Sequence, residues 1–239
     1  MGNGPFEQRS GYGLAIEMSC PQGSVTLCHN NMELDTLSIP KPHRHAIELM
    51  PTIDQLCKRH QVGPKQIGEI YVSIGPGSFT GLRIAVATAK IFASIIGSRL
   101  VAVATTDVVA ENAPQDRPHV AVCLNTKKNK MYTAVYRRAN GNWRKIMGPD
   151  LMTPSELCAR GPSPLAVLGK HLPDYGWPTD VECLDATLAV PNSRMVWRLG
   201  RQLAKRGEFV DAIKFLPLYA RAPEAVELWQ NRTHGQKTN

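Results

Sequence analysis

A glycine-rich turn at residues 75–81 has the composition of an anion-binding site. Its glycines let the backbone fold tightly, and its serine and threonine are suitable N-cap residues for a following helix. Backbone N–H groups that are free at a helix N-terminus can bind phosphate. We therefore predict a phosphate or nucleotide site here, with close packing of the helix on the preceding strand as the alternative. The candidate residues are Gly75, Gly77, Ser78, Thr80 and Gly81.

Two elements flank this turn and must position it. Residues 70–74 form a β-branched and aromatic run, which predicts a buried strand. Residues 81–97 predict a helix with only two charged side chains, Arg83 and Lys90, so it is apolar on nearly every face. One face should cover the chain's own sheet, and another should contact a further domain or chain. The alternative is the central core helix of a monomer.

One side of this helix is the predicted partner-binding surface. Its alanines recur at four-residue spacing, which lets a second helix approach closely. A second apolar stripe contains Ile84, Ile91 and Ile95. The predicted partner-binding residues are Leu82, Ala85, Val86, Ala89, Ala93 and Ile96.

Length and composition narrow the class of protein. The 239 residues, 43% of them hydrophobic, suffice for one large or two small soluble domains. We expect no membrane span, because the longest apolar run is interrupted by Thr88 and Lys90. We expect no secretion, because the N-terminus lacks the apolar core of a signal peptide. The six cysteines form no C-x-x-C pair, so we expect a cytoplasmic protein with reduced thiols and no zinc site.

Basic residues are concentrated in two parts of the sequence. The formal net charge is +8, and residues 117–149 contain eight Lys and Arg and no acidic residue. A predicted amphipathic helix over residues 192–206 carries a basic stripe on its polar face. Both patches are typical of a surface that faces RNA, with an ordinary solvated face as the alternative. The residues of the stripe are Arg194, Arg198, Arg201 and Lys205.

The order of the predicted elements indicates an α/β fold. Three strands in a meander precede the order helix, strand, helix, strand, helix, which suggests a mixed sheet of the ribonuclease H-like type found in the actin and sugar-kinase superfamily. The proline-rich stretch at 114–118 is the predicted domain boundary. We predict a flexible extension at residues 1–10 and a partner-binding domain at 11–113. A second, degenerate domain at 114–239 should end in a helix and tail that pack back on the first.

Ordered motifs over roughly residues 12–232 resemble those of the TsaB (YeaZ) family. The turn and the start of its helix read GPGSFTGLRIA, which closely resembles the family signature. The opening strand LAIEMS resembles the family's LAIDTS, and His45 with the helix to Ile53 resembles its H-x-x-x-LLP-x-I segment. Further matches are Lys130-Met131-Tyr132 and, near the C-terminus, Tyr219, Arg221, Pro223, Ala225 and Trp229.

The resemblance implies two ribonuclease H-like domains of the actin, sugar-kinase and heat-shock-chaperone superfold. It also implies a noncatalytic, cytoplasmic, bacterial accessory subunit in the synthesis of threonylcarbamoyladenosine next to the tRNA anticodon. The implied partners are the catalytic subunit TsaD, in a heterodimer through N-terminal helices, the TsaE ATPase, and tRNA through the complex. No cofactor is required; ATP or ADP at the partner interface and a homodimer of the chain alone are left open.

Two departures from the family pattern argue against inherited catalysis. Glu17 stands where the family usually has Asp, which extends the acidic group by one methylene. The segment that usually reads D-A-R-x-x-E-V-Y has Asn125, Lys127 and Lys130, which removes a carboxylate and adds positive charge. We therefore predict no catalytic residue in this chain.

Enzymes of the same superfold are the alternatives. TsaD enzymes bind metal through an H-x-x-x-H pair at a position where this chain reads Thr105-Thr106-Asp107. His43 and His45 have no third ligand nearby in the sequence, so we predict no metal site. A glycoprotease-like hydrolase that uses Ser78 is disfavoured, because the G-x-S-x-G spacing is not met. A nucleotide-binding, kinase-like enzyme would use the glycine turn.

Overall fold

Two five-stranded mixed sheets with helices make up the computed structural model, which describes residues 11–39, 45–125 and 129–220. The first half of the chain contains β1 (Tyr12–Glu17), β2 (Ser24–His29), β3 (Met32–Ser38), α1 (His45–Arg59), β4 (Ile67–Gly75), α2 (Phe79–Ile96), β5 (Arg99–Ala104) and α3 (Thr105–Ala110). The second half contains β6 (His119–Asn125), β7 (Met131–Ala139), β8 (Asn142–Met152), α4 (Pro154–Arg160), β9 (Leu165–Leu168), β10 (Val181–Cys183) and α5 (Ser193–Lys205).

The two sheets share one strand topology. The first has the order β3-β2-β1-β4-β5, and the second has the order β10-β9-β6-β7-β8. In each sheet three strands form an antiparallel meander, and the first of them pairs in parallel with a fourth strand that pairs in parallel with a fifth. The prediction of an α/β fold built from two ribonuclease H-like units is therefore confirmed.

Local sequence signals account for most of these elements. Pro21-Gln22-Gly23 turns the chain between β1 and β2, which pair from Tyr12↔His29 to Glu17↔Ser24. The short strand β10 is a difference, because the prolines of residues 171–191 predict an irregular segment; its parallel pairing with β9 orders these three residues.

The helix α2 covers one face of the first sheet beside α1. Ser78 caps its N-terminus, and Gly97 ends it in a left-handed conformation with φ of 80°. By length and composition this helix could also cross a membrane, and it is the one such helix among the described residues, which corrects the expectation of no run of that length. Within the fold 39% of it is buried, and the core helix of a soluble protein meets the same criteria.

The helix α5 covers the opposite face of the first sheet, although it follows the second sheet in the chain. The Ser193 Oγ lies 2.8 Å from the Thr26 Oγ1 on β2. A Cβ at Gly200 would lie 2.5 Å from the Tyr71 ring, so the helix approaches β4 closely. Val196 is fully buried in this contact. The boundaries of the two domains at 11–113 and 114–239 remain a prediction.

After α5 the chain returns along the first sheet as the C-terminal strap, residues 209–220. Val210 pairs antiparallel with Leu100 on β5. Phe215 is buried in the core that α1 and α2 share with the sheet. The strap thus covers the outer side of β5. The predicted extension at residues 1–10 and the C-terminal motif residues after 220 lie outside the described residues.

Candidate functional site

The glycine turn packs against the end of β1. The Ser78 N–H donates a hydrogen bond to the Ser19 carbonyl at 2.6 Å, and the Leu82 N–H donates to the Ser78 carbonyl at 2.9 Å. The Gly81 N–H donates to the Ser78 Oγ at 3.3 Å. Ser78 is the N-cap, whereas Thr80 is exposed in the first turn of α2. Two N–H groups of the predicted phosphate site, those of Ser78 and Gly81, are therefore already bound within the chain.

The turn needs glycine because backbone lies against it on both sides. A Cβ at Gly77 would lie 2.3 Å from the Ser19 carbonyl oxygen, and one at Gly81 would lie 2.0 Å from the Met18 carbonyl oxygen. Gly75 has φ of +113°. These contacts support the packing role of the turn more directly than a phosphate-binding role.

Glu17 lies beneath this turn at the end of β1 and is fully buried. Its Oε1 accepts a hydrogen bond from the Ser19 N–H at 2.5 Å, whereas its Oε2 has no hydrogen-bond partner in the described part of the chain. Burial raises the pKa of the Glu17 carboxyl, and hydrogen bonds from Ser19 and Ser73 oppose that rise. The acidic group is therefore closed off from solvent in this conformation.

The positions that would carry a histidine pair in TsaD enzymes form part of the core instead. Thr105 and Thr106 are buried, and the Thr105 Oγ1 lies 2.8 Å from the Ser73 Oγ. Across residues 11–39, 45–125 and 129–220 there is no group of three or more His, Cys, Asp and Glu side chains that could hold a metal ion. His43 and Lys127 lie outside the described residues.

The predicted partner-binding side of α2 is the side that faces the chain's own core. Leu82, Ala85, Val86 and Ala89 are buried against the first sheet, and Ala93 and Ile96 are only partly exposed. The four buried residues are therefore closed to a partner in this fold, whereas Ala93 and Ile96 stay a prediction. A helix that is apolar all round gives no signal as to which of its apolar stripes meets the sheet.

The opposite side of α2 and the outer side of α1 carry exposed apolar residues. Ile91 and Ile95 on α2 are 56% and 79% exposed, and Ile47 and Met50 on α1 are 59% and 51% exposed. We name these four residues the α1/α2 surface. The isoleucines belong to the second apolar stripe that the sequence contains, and this stripe was the signal for the surface.

The basic stripe on α5 is partly neutralised. The Arg194 Nε lies 2.7 Å from a carboxylate oxygen of Glu33. Arg201 donates a hydrogen bond to the Asn31 carbonyl at 2.9 Å. Arg198 and Lys205 are exposed. The predicted tRNA-contact residues thus divide into two that bind the β2–β3 hairpin and two that face solvent.

Comparison with known proteins gives the chain a family context. A family model described as TsaD, tRNA N6-adenosine threonylcarbamoyltransferase, matches residues 41–178. The tRNA threonylcarbamoyladenosine biosynthesis protein TsaB of Bacillus subtilis is 28% identical over 106 residues, which are 44% of this chain and 46% of that protein. The TsaB of Haemophilus influenzae is 20% identical over 219 residues, which are 87% of this chain and 92% of that protein.

The matched segment spans about half the length of the Bacillus subtilis relative. Among solved structures, YeaZ from Pseudomonas aeruginosa superposes with a TM-score of 0.76 at 24% sequence identity, covering 87% of this chain and 99% of that one. This similarity extends the match of the fold to both sheets.

Proposed function

The chain belongs to the TsaB (YeaZ) family, and on this basis we propose that it is a noncatalytic partner of a TsaD-type enzyme. In that role it supports threonylcarbamoylation of the adenosine next to the tRNA anticodon. The complex would include the TsaE ATPase and would act on tRNA in the cytoplasm. These partners are the ones that the resemblance to the family implies.

The α1/α2 surface is the observation that carries the proposal. Its isoleucines Ile91 and Ile95 stand one helical turn apart and face solvent, while the opposite side of α2 is packed on the chain's own sheet. Exposed apolar side chains on two neighbouring helices suit the helical contact expected with TsaD. The partner-binding side of α2 is thus reassigned from its inner face to its outer face.

One buried group and two contacts support the absence of catalysis by this chain. The Glu17 carboxyl is fully buried beneath the glycine turn. The turn binds the Ser19 carbonyl through the Ser78 N–H, so this donor is not available to a phosphate. Thr105 hydrogen-bonds within the core where TsaD enzymes carry a metal ligand.

The test is co-expression of the chain with TsaD from the same source. We expect a stable heterodimer by size-exclusion chromatography with light scattering, and threonylcarbamoyladenosine in tRNA only when TsaD and TsaE are present. Modification of tRNA by the chain alone would refute the noncatalytic role. Failure of the two proteins to associate would refute the partner assignment.

A further inference from the structure

Two arginines of the second sheet stand directly opposite each other. Arg137 on β7 pairs with Arg144 on β8, so both side chains lie on one face of the sheet, and both are exposed. Within the described ranges neither guanidinium has an ion pair or a hydrogen bond. Like charges that face each other across two strands destabilise a sheet. The hairpin therefore presents two uncompensated positive charges side by side.

Neighbouring arginines differ from this pair. Arg117 binds Glu182 through two nitrogens, at 2.6 and 2.8 Å. Arg138, on the opposite face of β7, lies over the Trp143 ring and donates a hydrogen bond to the Gly141 carbonyl at 2.8 Å. The fold thus engages these arginines internally, whereas the Arg137–Arg144 pair has no such contact with residues that the structure describes.

The same row of the sheet extends onto a third strand. His119 on β6 is the register partner of Arg137, so His119, Arg137 and Arg144 lie side by side across β6, β7 and β8. Adjacent strands are about 4.8 Å apart, so the row spans about 10 Å. The segment from residue 117 to residue 149 that supplies the row contains no acidic residue. The strand β8 is the outermost strand of the sheet, which keeps the row accessible from that side.

We propose that this row, with the Arg137–Arg144 pair at its β8 end, binds the phosphate backbone of RNA. Guanidinium groups bind phosphate oxygens in a planar, two-pronged geometry, and a bound phosphate between the two arginines would remove their repulsion. The identification of the RNA as tRNA rests on the proposed function. The row lies on the second sheet, whereas the α1/α2 surface lies on helices that cover the first.

The test is Arg144→Glu, because this change converts the like-charged pair into an opposite-charged one. The thermal midpoint should rise by about 1–2 °C, since a cross-strand repulsion becomes an attraction. Affinity for an unmodified tRNA transcript, measured by fluorescence anisotropy, should fall at least fivefold. The slope of log affinity against log salt should decrease in magnitude by about 1.5, as expected for two lost phosphate contacts. A merely structural role for Arg144 would not give higher stability together with weaker RNA binding.

The matched control is the double variant Lys65→Glu and Lys214→Glu, which changes two exposed lysines of the first half and the strap. It should leave the salt slope nearly unchanged, although it lowers the net charge by more than the test variant does. An equal loss of tRNA affinity in the Arg144→Glu variant and in the control would attribute RNA binding to net charge and overturn the proposal. Unchanged tRNA affinity in the Arg144→Glu variant would overturn it as well.

Pairing with TsaD is measured on the same variants. Loss of TsaD binding with unchanged tRNA affinity would make the row a contact for an acidic protein surface and overturn the RNA proposal. If the wild-type chain fails to pair with TsaD but Arg144→Glu weakens tRNA binding, the result supports the RNA-binding surface and refutes the proposed function.

Discussion

The backbone N–H of Leu218 donates a hydrogen bond to the carbonyl oxygen of Ile74 at 2.7 Å. This bond ties the C-terminal strap to the last residues of β4, immediately before the glycine turn. The ring of Tyr219 then lies 4.8 Å from the ring of Phe79, the first residue of α2. The strap therefore holds the turn from outside, while the end of β1 holds it from inside.

Substitution of Gly75 tests this enclosure. A Cβ there would lie 2.3 Å from the Leu218 carbonyl oxygen, and the residue has φ of +113°. We expect Gly75→Ala to lower the free energy of unfolding by about 3 kcal/mol, from backbone strain and displacement of the strap. The control Gly207→Ala also has positive φ but meets nothing within 4 Å, so it should cost only about 1 kcal/mol. Urea denaturation measures the free energy of unfolding of both variants. An equal decrease in the two would contradict the close contact of the strap with Gly75.

Phe215 should anchor the strap to the core. It is 3% exposed, whereas its neighbour Leu216 is 67% exposed. We expect Phe215→Ala to destabilise the chain by about 3–4 kcal/mol, because it removes a buried ring and leaves a cavity. Leu216→Ala should change stability by less than about 0.5 kcal/mol. Thermal and urea unfolding of the two variants would reveal whether the strap is an integral part of the fold.

The α1/α2 surface can be tested by adding charge to it. Ile95→Glu should leave the chain folded and abolish binding to TsaD, because an apolar interface would then bury an unpaired carboxylate. Ile146→Glu is the matched control, since Ile146 is an exposed isoleucine on the outermost strand of the second sheet. Pull-down with tagged TsaD and circular dichroism separate binding from folding.

Ala89→Glu should instead destabilise the chain itself, because Ala89 is fully buried in the first core. If the Ala89→Glu variant folds normally, or if the Ile95→Glu variant binds TsaD with wild-type affinity, the TsaD contact would be assigned to the inner side of α2 instead.

Glu17 should make stability depend on pH. Burial raises the pKa of its carboxyl in the folded chain above the ordinary value near 4.5. The folded state then binds a proton more tightly than the unfolded state, so Glu17 lowers stability progressively as the pH rises above the unfolded pKa. We expect Glu17→Gln to gain stability relative to wild type as the pH rises above about 4.5. A stability difference that is the same at every pH would show that the carboxyl keeps its ordinary pKa.

The meander and the mixed sheet followed from the sequence, because alternation, β-branched runs and turn residues are local signals, whereas the order of the strands within each sheet did not. The strand predicted at residues 70–74 lies within β4 (Ile67–Gly75), and the helix predicted at 192–206 matches α5 (Ser193–Lys205). The glycine turn was also located correctly, since three glycines in seven residues require close backbone contact. Its occupation by the chain's own carbonyls depends on the end of β1, about sixty residues earlier in the sequence, and no local pattern contains that information.

Two other features depend on long-range packing. The sequence marks α2 as apolar on several sides, but only the placement of the sheet decides that Ala89 is inside and Ile95 outside. The basic run at 117–149 was visible, yet the Arg137–Arg144 pairing depends on a strand register that a bulge beside Val135 shifts. Charge content was therefore predictable, and charge geometry was not.

The packing of α5 on the first sheet also determines when the chain can finish folding during translation. Tyr71 and Val101 pack on one side against Val196 and Trp197 of this helix. When only the first 113 residues have left the ribosome, this apolar face of the sheet is therefore exposed to solvent. The first sheet therefore cannot complete the core on this face before residue 205 has emerged from the ribosome.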